Sequence, residues 1–390
     1  MGEGVLTSAP AFARVDGTLH GERVALDALA AAVGTPVYAY STATIAARFS
    51  QLDAVLAPVP HRIHYACKAN GNLAILSLLR SLGARVDVVS GGELYRAQRA
   101  GFPASDIIFG GVGKSEAELR EALTAGVHLI SVESEAELRL LDALASERGT
   151  IARVGLRVNP EVAVESFHEY IKTGEKGNKF GVPFDQAGAV ARVAVALPNV
   201  RLVAIGMHIG SQLSQLQPYG DGLDRLEALI ADLRADGVDT LEHVDIGGGI
   251  FVPYDDEPPA DLEAYAALIV PAVQRMGLEL IIEPGRFLVA ESGVLLTRVL
   301  YRKRSGGREL LITDAGMTDL LRPSHYDAYH RICAVVHAPT QGTFDVVGPI
   351  CESGDFLAID REMDDVEAGA LLCVCTTGAY GYSMASNYNA

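Results

Sequence analysis

The sequence predicts an α/β protein, a (β/α)8 TIM-type barrel set into a discontinuous β-rich domain. Three observations carry this. In the middle of the chain, eight short β-branched runs each precede a longer amphipathic stretch, the alternation expected of a closed parallel barrel. After about Arg286 the rhythm changes to short runs separated by turn residues, the mark of a β-rich domain. Residues ahead of Thr35 repeat short alternating runs that would add strands to that second domain. The expected division is a barrel over residues 36–285 and a β-rich domain built from 1–35 and 286–390.

The barrel strands are expected at Arg62–Cys67, Val86–Val89, Ile107–Gly110, His128–Val132, Ala152–Arg157, Val203–His208, His243–Ile246 and Glu279–Glu283. Between them, Leu73–Leu82, Ser115–Ala125 and Glu135–Ser146 read as helices, and Ser115 followed by Glu118 fits a capping box. Thr35–Tyr40 reads as a further strand ahead of the barrel. Asn159 to Gly181 is polar, glycine-bearing and without period, so it is expected as a functional loop over the barrel mouth. Beyond the barrel, strands are expected at Gly293–Tyr301, Glu309–Thr313, Cys333–His337, Thr343–Val347 and Leu371–Cys375.

Composition narrows the function. With 49% hydrophobic and 21% charged residues, the 390-residue chain can bury a large core and is not a disordered segment. A net charge of -17 repels phosphate backbones, so no nucleic-acid partner is expected. An anionic ligand must then be held by local donors. The five cysteines, Cys67, Cys333, Cys351, Cys373 and Cys375, form no C-x-x-C pair and are odd in number, which suits a reducing cytoplasm. No metal site is expected. The first ten residues lack a basic, then apolar, leader pattern, and no run is long enough to span a membrane.

The chemistry begins at Tyr65-Ala66-Cys67-Lys68-Ala69-Asn70, where Lys68 closes the first barrel strand and would point into the catalytic mouth. A lysine is ordinarily a solvated surface charge, so this position alone decides little. Gly247-Gly248-Gly249 follows the seventh strand, and Glu283-Pro284-Gly285-Arg286 follows the eighth. Those two loops are the usual phosphate site of this barrel. Glycines let backbone N–H groups approach an anion, and Arg286 adds a planar fork of donors. A glycine triplet can come from any tight turn; two anion-suited loops in the two expected places are far more specific. His208, in Met207-His208-Ile209-Gly210-Ser211-Gln212, closes the sixth strand and could lie against an aromatic ring, with Ser211 offering a further phosphate donor.

These segments, with Ser90-Gly91-Gly92-Glu93-Leu94, Asp245-Ile246, Gly348-Pro349-Ile350-Cys351-Glu352-Ser353 and Gly378-Ala379-Tyr380, resemble in order the fold-type III pyridoxal-phosphate enzymes, and among them most closely the diaminopimelate decarboxylases. The resemblance runs from about Ala9 to the C-terminus. It implies pyridoxal 5'-phosphate as cofactor, with Lys68 as the Schiff-base lysine, His208 stacked on the pyridine face and Glu283 paired with the ring nitrogen. It further implies cofactor or phosphate contacts from Ser211, Gly247, Gly248, Gly249, Pro284, Gly285, Arg286 and Tyr380. Asp87, Glu93 and Arg157 match positions near the cofactor, and Cys351 matches the acid that protonates the substrate carbon after loss of carbon dioxide. A free cysteine is otherwise most often a small buried hydrophobe. The resemblance also implies a homodimer with shared active sites, and family members that continue for about a strand and a helix beyond Ala390, so that the last strands of the β-rich domain would be incomplete.

The substrate reading rests on Asp314-Ala315-Gly316-Met317, Arg322-Pro323, Tyr326 and Tyr329-His330. By the resemblance, Arg322, Tyr326 and Glu352, with Arg286 and Tyr380, contact an amino-acid substrate. Arg322 suits a distal carboxylate and Glu352 an ammonium. This favours decarboxylation of meso-2,6-diaminopimelate to L-lysine and carbon dioxide, a step of lysine biosynthesis. Three alternatives stay open: a related decarboxylase of another carboxylated diamine precursor, an alanine racemase of the same fold, and an inactive relative with a regulatory role. The Cys351-Glu352 motif speaks against the racemase, and the presence of both Lys68 and Cys351 against the inactive relative.

Overall fold

The computed structural model describes residues 11–162 and 177–389. The chain divides into two compact units, one of Phe49–Phe251 with Ala260–Gly285, the other of Met1–Arg48, Val252–Pro259 and Arg286–Ala390.

The first unit is a closed parallel barrel. Its strands run His61–Ala66, Arg85–Val88, Ile107–Phe109, Leu129–Val132, Ala152–Asn159, Val200–Met207, His243–Asp245 and Glu279–Ile282. Each pairs with the next in parallel, and Leu280–Ile282 closes the circle on His61–Ile63. All eight expected strands are present with small shifts at their ends. The fifth and sixth are longer than expected because their apolar faces, Val154, Leu156 and Val158 beside Leu202, Ala204 and Met207, are buried throughout. The three expected helices form at Leu73–Ser81, Glu116–Ala125 and Glu135–Arg148. The capping box is also present: Glu118 N–H donates to Ser115 Oγ at 3.3 Å and Ser115 N–H to the Glu118 carboxylate at 2.9 Å.

At the amino-terminal ends of the strands lies a ring of ion pairs and histidines. Arg62 donates to Glu279 at 2.7 Å and Arg153 to Glu242 at 2.7 Å. His128 and His243 meet at 3.2 Å between their Nε2 atoms, and His64 is fully buried. This end of such a barrel serves stability. Most of the loop expected over the opposite end, Asn159 to Gly181, lies outside the described residues. Its last residues are anchored: Val182–Pro183 pairs in parallel with Val158 and Asn159, and Gly181 N–H donates to Glu133 at 2.8 Å.

The second unit is β-rich. The strand Gly293–Ser305 is its spine. It pairs antiparallel with Val37–Tyr40, Leu371–Val374 and Arg308–Thr313, and the sheet continues through Gln341–Val347 to Phe356–Asp364. The strand expected just ahead of the barrel therefore belongs to this sheet. Phe356–Asp364 escapes a reading by periodicity because Asp360, Arg361 and Glu362 interrupt its apolar alternation. The expected strand Cys333–His337 is shorter, Ile332–Ala334. Alternation splits the core into two: Leu295, Leu372 and Val374 face Phe344, Val346 and Leu357, while Val294, Leu296, Cys373 and Cys375 face Phe12, Leu19 and Leu26. Phe12 and Leu19 come from an amino-terminal three-stranded sheet, Phe12–Val15, Thr18–Gly21 and Val24–Ala25, which supplies the strands expected ahead of Thr35. Among the described residues, no helix is long and apolar enough to cross a membrane.

Candidate active site

The carboxyl ends of the barrel strands surround a cavity of about 390 Å³, lined by Lys68, Asp87, Arg157, His208, Asp245 and Glu283 among others. Small-molecule sites fall in this size range. Five of these residues, all but Asp245, were expected near the cofactor. Lys68 stands in the short turn Cys67–Ala69 that ends the first strand, held by Ala66 N–H donating to Pro284 O at 3.2 Å. Its amine lies 3.6 Å from the Asp87 carboxylate, and its side chain remains 42% exposed, within reach of a small molecule. Asp87 is buried on the second strand.

Asp245 and Glu283 follow on neighbouring strands and hydrogen-bond each other. Burial raises the pKa of both, and repulsion within the pair and from Asp87 adds to the rise at Glu283. The pair therefore holds a proton where two isolated carboxyls would hold none. Asp245 ends the seventh strand, and nothing in one sequence marks it as the partner of Glu283.

His208 is held by the glycine loop. Gly248 N–H donates to His208 Nδ1 at 3.2 Å. A backbone amide only donates, so Nδ1 carries no proton and Nε2 does. Burial, with Arg157 and Lys68 nearby, pushes the ring pKa well below its usual value, and the ring is neutral. Gly247 N–H donates to Asp245 Oδ1 at 2.8 Å, so two of the three glycine amides are engaged inside the protein. The close approach requires glycine: a Cβ at Gly248 would fall 2.4 Å from Glu283 O, and one at Gly249, with φ +107°, 2.5 Å from Gly210 O. Tyr219 Oη and Leu213 N–H donate to Gly248 O and Gly249 O and fix the loop from behind. Ser211, in the loop after the sixth strand, is half-buried. Gly285 packs so closely on Ala66 and Ala69 that a Cβ would lie 3.1 Å from each.

Arg157 donates to the buried Glu133 at 3.0 Å and stacks over the Phe180 ring at 5.0 Å. Glu133, which also receives Gly181 N–H, was not foreseen. Glu93 has a local duty instead: its carboxylate accepts Val89 N–H at 2.9 Å while Ser90 Oγ accepts Glu93 N–H. Lys114, also unforeseen, is buried against Glu137 at 2.7 Å and donates to Gly111 O at 2.6 Å, which holds the loop along one wall of the cavity.

The remaining expected residues lie in the β-rich unit. Arg286 donates to Tyr254 Oη at 2.8 Å and sits 4.8 Å over the Tyr380 ring. Arg322 opens the short helix Arg322–Tyr326 and sits 5.0 Å over the Tyr254 ring. His330 Nδ1 donates to Cys375 O at 2.9 Å, so Nε2 is the acceptor for Arg322 Nε–H at 3.3 Å. Burial and Arg322 itself hold the His330 pKa down at about 3, which keeps it an acceptor. Arg322 is buried, and among the described residues no carboxylate lies within ion-pair distance of it. Tyr326 is half-buried against His325. Cys351 and Glu352 are exposed in the loop before Asp355. The Asp355 carboxylate accepts N–H bonds from Met317 and Ile350, each at 2.6 Å, and sets the course of that loop. Tyr254 and Asp355 were missed because neither sits in a run with a recognisable period.

The barrel cavity fits pyridoxal phosphate by its donor set: an accessible primary amine for an aldehyde, a proton-holding carboxyl pair for a ring nitrogen, a neutral imidazole for a ring face, and a glycine loop that admits no side chain. Residues 42–290 match the family model described as pyridoxal-dependent decarboxylase, pyridoxal binding domain. The chain is 45% identical to a diaminopimelate decarboxylase of Vibrio cholerae over 96% of this chain and 89% of that protein. It is 46% identical to one of Neisseria meningitidis over 96% and 91%. Its fold is similar to a diaminopimelate decarboxylase from Helicobacter pylori crystallised with L-lysine, with TM-score 0.90 and 40% identity over 93% of this chain and 91% of that one. The chain belongs to the diaminopimelate decarboxylase family of pyridoxal-dependent decarboxylases.

Proposed function

We propose that this protein decarboxylates meso-2,6-diaminopimelate to L-lysine and carbon dioxide with pyridoxal phosphate as cofactor. One observation carries the choice of substrate: a buried Arg322 guanidinium with no carboxylate beside it among the described residues, oriented by His330 and stacked on Tyr254. A buried cation that lacks an internal partner is matched by a ligand anion. The distal carboxylate of diaminopimelate is such an anion, and ornithine or arginine has none. Tyr326, Tyr380, Arg286 and Glu352 complete this substrate end.

Bound pyridoxal phosphate supplies the electron-accepting ring that takes the pair left when the carboxylate departs. Lys68 provides the amine that holds the cofactor and yields to the substrate amine. Glu283, with Asp245, keeps a proton available to the ring nitrogen. His208 would lie against one face of that ring. Gly249, Ser211 and Arg286 would hold the phosphate, since the Gly247 and Gly248 amides already serve Asp245 and His208. Cys351 gives the α-carbon the proton that replaces carbon dioxide.

In this reading the enzyme is a cytoplasmic homodimer with shared sites. The β-rich unit contributes the substrate and dimer contacts, and Cys351 serves the cofactor of the other subunit. Assaying the loaded enzyme with meso-diaminopimelate, L-ornithine and L-arginine tests the substrate; preference for either of the latter two would overturn it. Mixing Lys68→Ala with Cys351→Ala subunits tests sharing. Activity should return in the heterodimer, and its absence after proven subunit exchange would refute the shared site.

A further inference from the structure

Three of the five cysteines converge in the β-rich unit, and the proposed chemistry gives none of their thiols a role. Cys333 and Cys373 are direct partners across the antiparallel pair Ile332–Ala334 and Leu371–Val374. Cys375 lies two residues beyond Cys373, so both side chains leave the same face, into the core formed with Phe12, Leu19 and Leu26. The three sulfur atoms lie within 4.8 Å of one another. The Cys333 thiol is directed to the Cys373 carbonyl at 4.0 Å. Three cysteines serving as ordinary small hydrophobes have no reason to gather their sulfurs at one point. A cross-strand pair plus a third thiol two residues on does gather them, and it does so on a rigid sheet.

We propose that Cys333, Cys373 and Cys375 form a three-sulfur site for a thiophilic d10 cation such as zinc(II). Sulfur ligands at a zinc distance of about 2.3 Å stand about 3.8 Å apart in tetrahedral geometry, so the cluster closes on an ion with movements of about 1 Å or less. The chemistry of the set matches: thiolates select soft ions and leave magnesium and calcium aside. Arg14 reaches the same strand, donating to Ala334 O at 2.6 Å and to Val335 O at 3.2 Å and pairing with Asp364 at 3.5 Å. Cys373 and Cys375 are buried, while Cys333 is only partly so, which gives the ion a way in. Each thiol that enters as S–H passes its proton to solvent on binding. The bound ion would tie the strand Ile332–Ala334 to the segment whose Cys375 carbonyl fixes His330.

The test uses the full-length, pyridoxal-phosphate-loaded enzyme under reducing conditions, with Cd2+ and Zn2+ as probes. One ion per chain should bind, and Cd2+ should produce the ultraviolet thiolate-to-metal charge-transfer band. Cys333→Ser and Cys375→Ala should each abolish the band, and Cys67→Ala should retain it; circular dichroism shows whether each variant is folded. A readout without substitution uses alkylation of Cys333 followed by mass spectrometry. At a free ion concentration of about 100 times Kd, about one chain in a hundred is unliganded, so alkylation should slow about a hundredfold, and Mg2+ should have no effect. Absence of uptake by the reduced protein overturns the proposal. So does uptake that survives both substitutions, or unchanged alkylation of Cys333 at saturating Cd2+.

Discussion

The Asp245 carboxyl hydrogen-bonds the Glu283 carboxyl from the neighbouring barrel strand, and burial raises the pKa of both. Two carboxyls in contact in a desolvated site titrate as a pair and retain one proton into the neutral range. In the cofactor-free protein at neutral pH, infrared spectroscopy should therefore show a protonated carboxyl stretch that disappears in Glu283→Gln. Because the pair releases that proton as pH rises, cofactor affinity should fall on the alkaline side. Glu283→Gln should lower kcat by roughly 10²-fold or more, the scale of a lost positioned proton. If no protonated carboxyl is seen above pH 6, the shared proton is wrong.

Much of this site was legible in the sequence because its parts end barrel strands. The strand period places Lys68, Asp87, His208 and Glu283 at one end of the barrel once the eight strands are counted, and the structure lines one cavity with all four. What stayed hidden depends on contact between distant segments. Asp245 gains its role from Glu283, Glu133 from Arg157 and Gly181, and His330 from Arg322 and the Cys375 carbonyl. The cysteine cluster was hidden for the same reason: Cys333 and Cys373 stand forty residues apart and meet only through strand register.

Lys68 stands 3.6 Å from Asp87, so its loss could act through an ion pair or through covalent chemistry. Two variants separate these. Lys68→Ala should lose the visible absorbance of lysine-held cofactor and nearly all turnover. Lys68→Arg restores a cation beside Asp87 but offers no amine for an aldehyde, and should be equally inactive while melting like the wild type. Borohydride treatment should fix cofactor to the wild-type chain alone. Substantial activity in Lys68→Arg would assign the attachment to another lysine.

The barrel floor should make the protein acid-sensitive. Burial pushes the pKa of His64 well below 6.5, and those of His128, to about 3, and His243 also downward. A histidine whose folded-state pKa is depressed contributes full stability above about 6.5, lost as pH falls towards the folded value, since only the unfolded chain then takes up the proton. Asp245 and Glu283 act with the opposite sign, so the test is a difference. Between pH 6 and 4, wild type should lose stability faster than His64→Asn by up to about 1.4 kcal/mol per pH unit. Parallel denaturation curves for the two proteins would show that His64 protonates freely in the folded state.

Arg322 decides the substrate. Its guanidinium is buried, its Nε–H is directed to His330 and its face lies on Tyr254, which orients the fork before any ligand arrives. A hydrogen bond to a charged group contributes about 1.5–3 kcal/mol. At about 1.4 kcal/mol per tenfold, Arg322→Ala should lower kcat/KM for meso-diaminopimelate roughly 10- to 150-fold, and by more if the substrate carboxylate is left buried and unpaired. Substrates without a distal carboxylate should not pay that penalty. Arg322→Lys should recover only part of the loss, because an ammonium cannot make the planar two-bond contact. Cofactor absorbance should persist in both variants. The neutral, acceptor state of His330 adds a second check: His330→Leu removes the acceptor for Nε–H but leaves the charge, so it should raise KM for diaminopimelate with a smaller effect on kcat. Equal losses in Arg322→Ala for substrates with and without the distal carboxylate would mean that Arg322 supports the β-rich unit itself, and the choice of diaminopimelate would lose the observation that carries it.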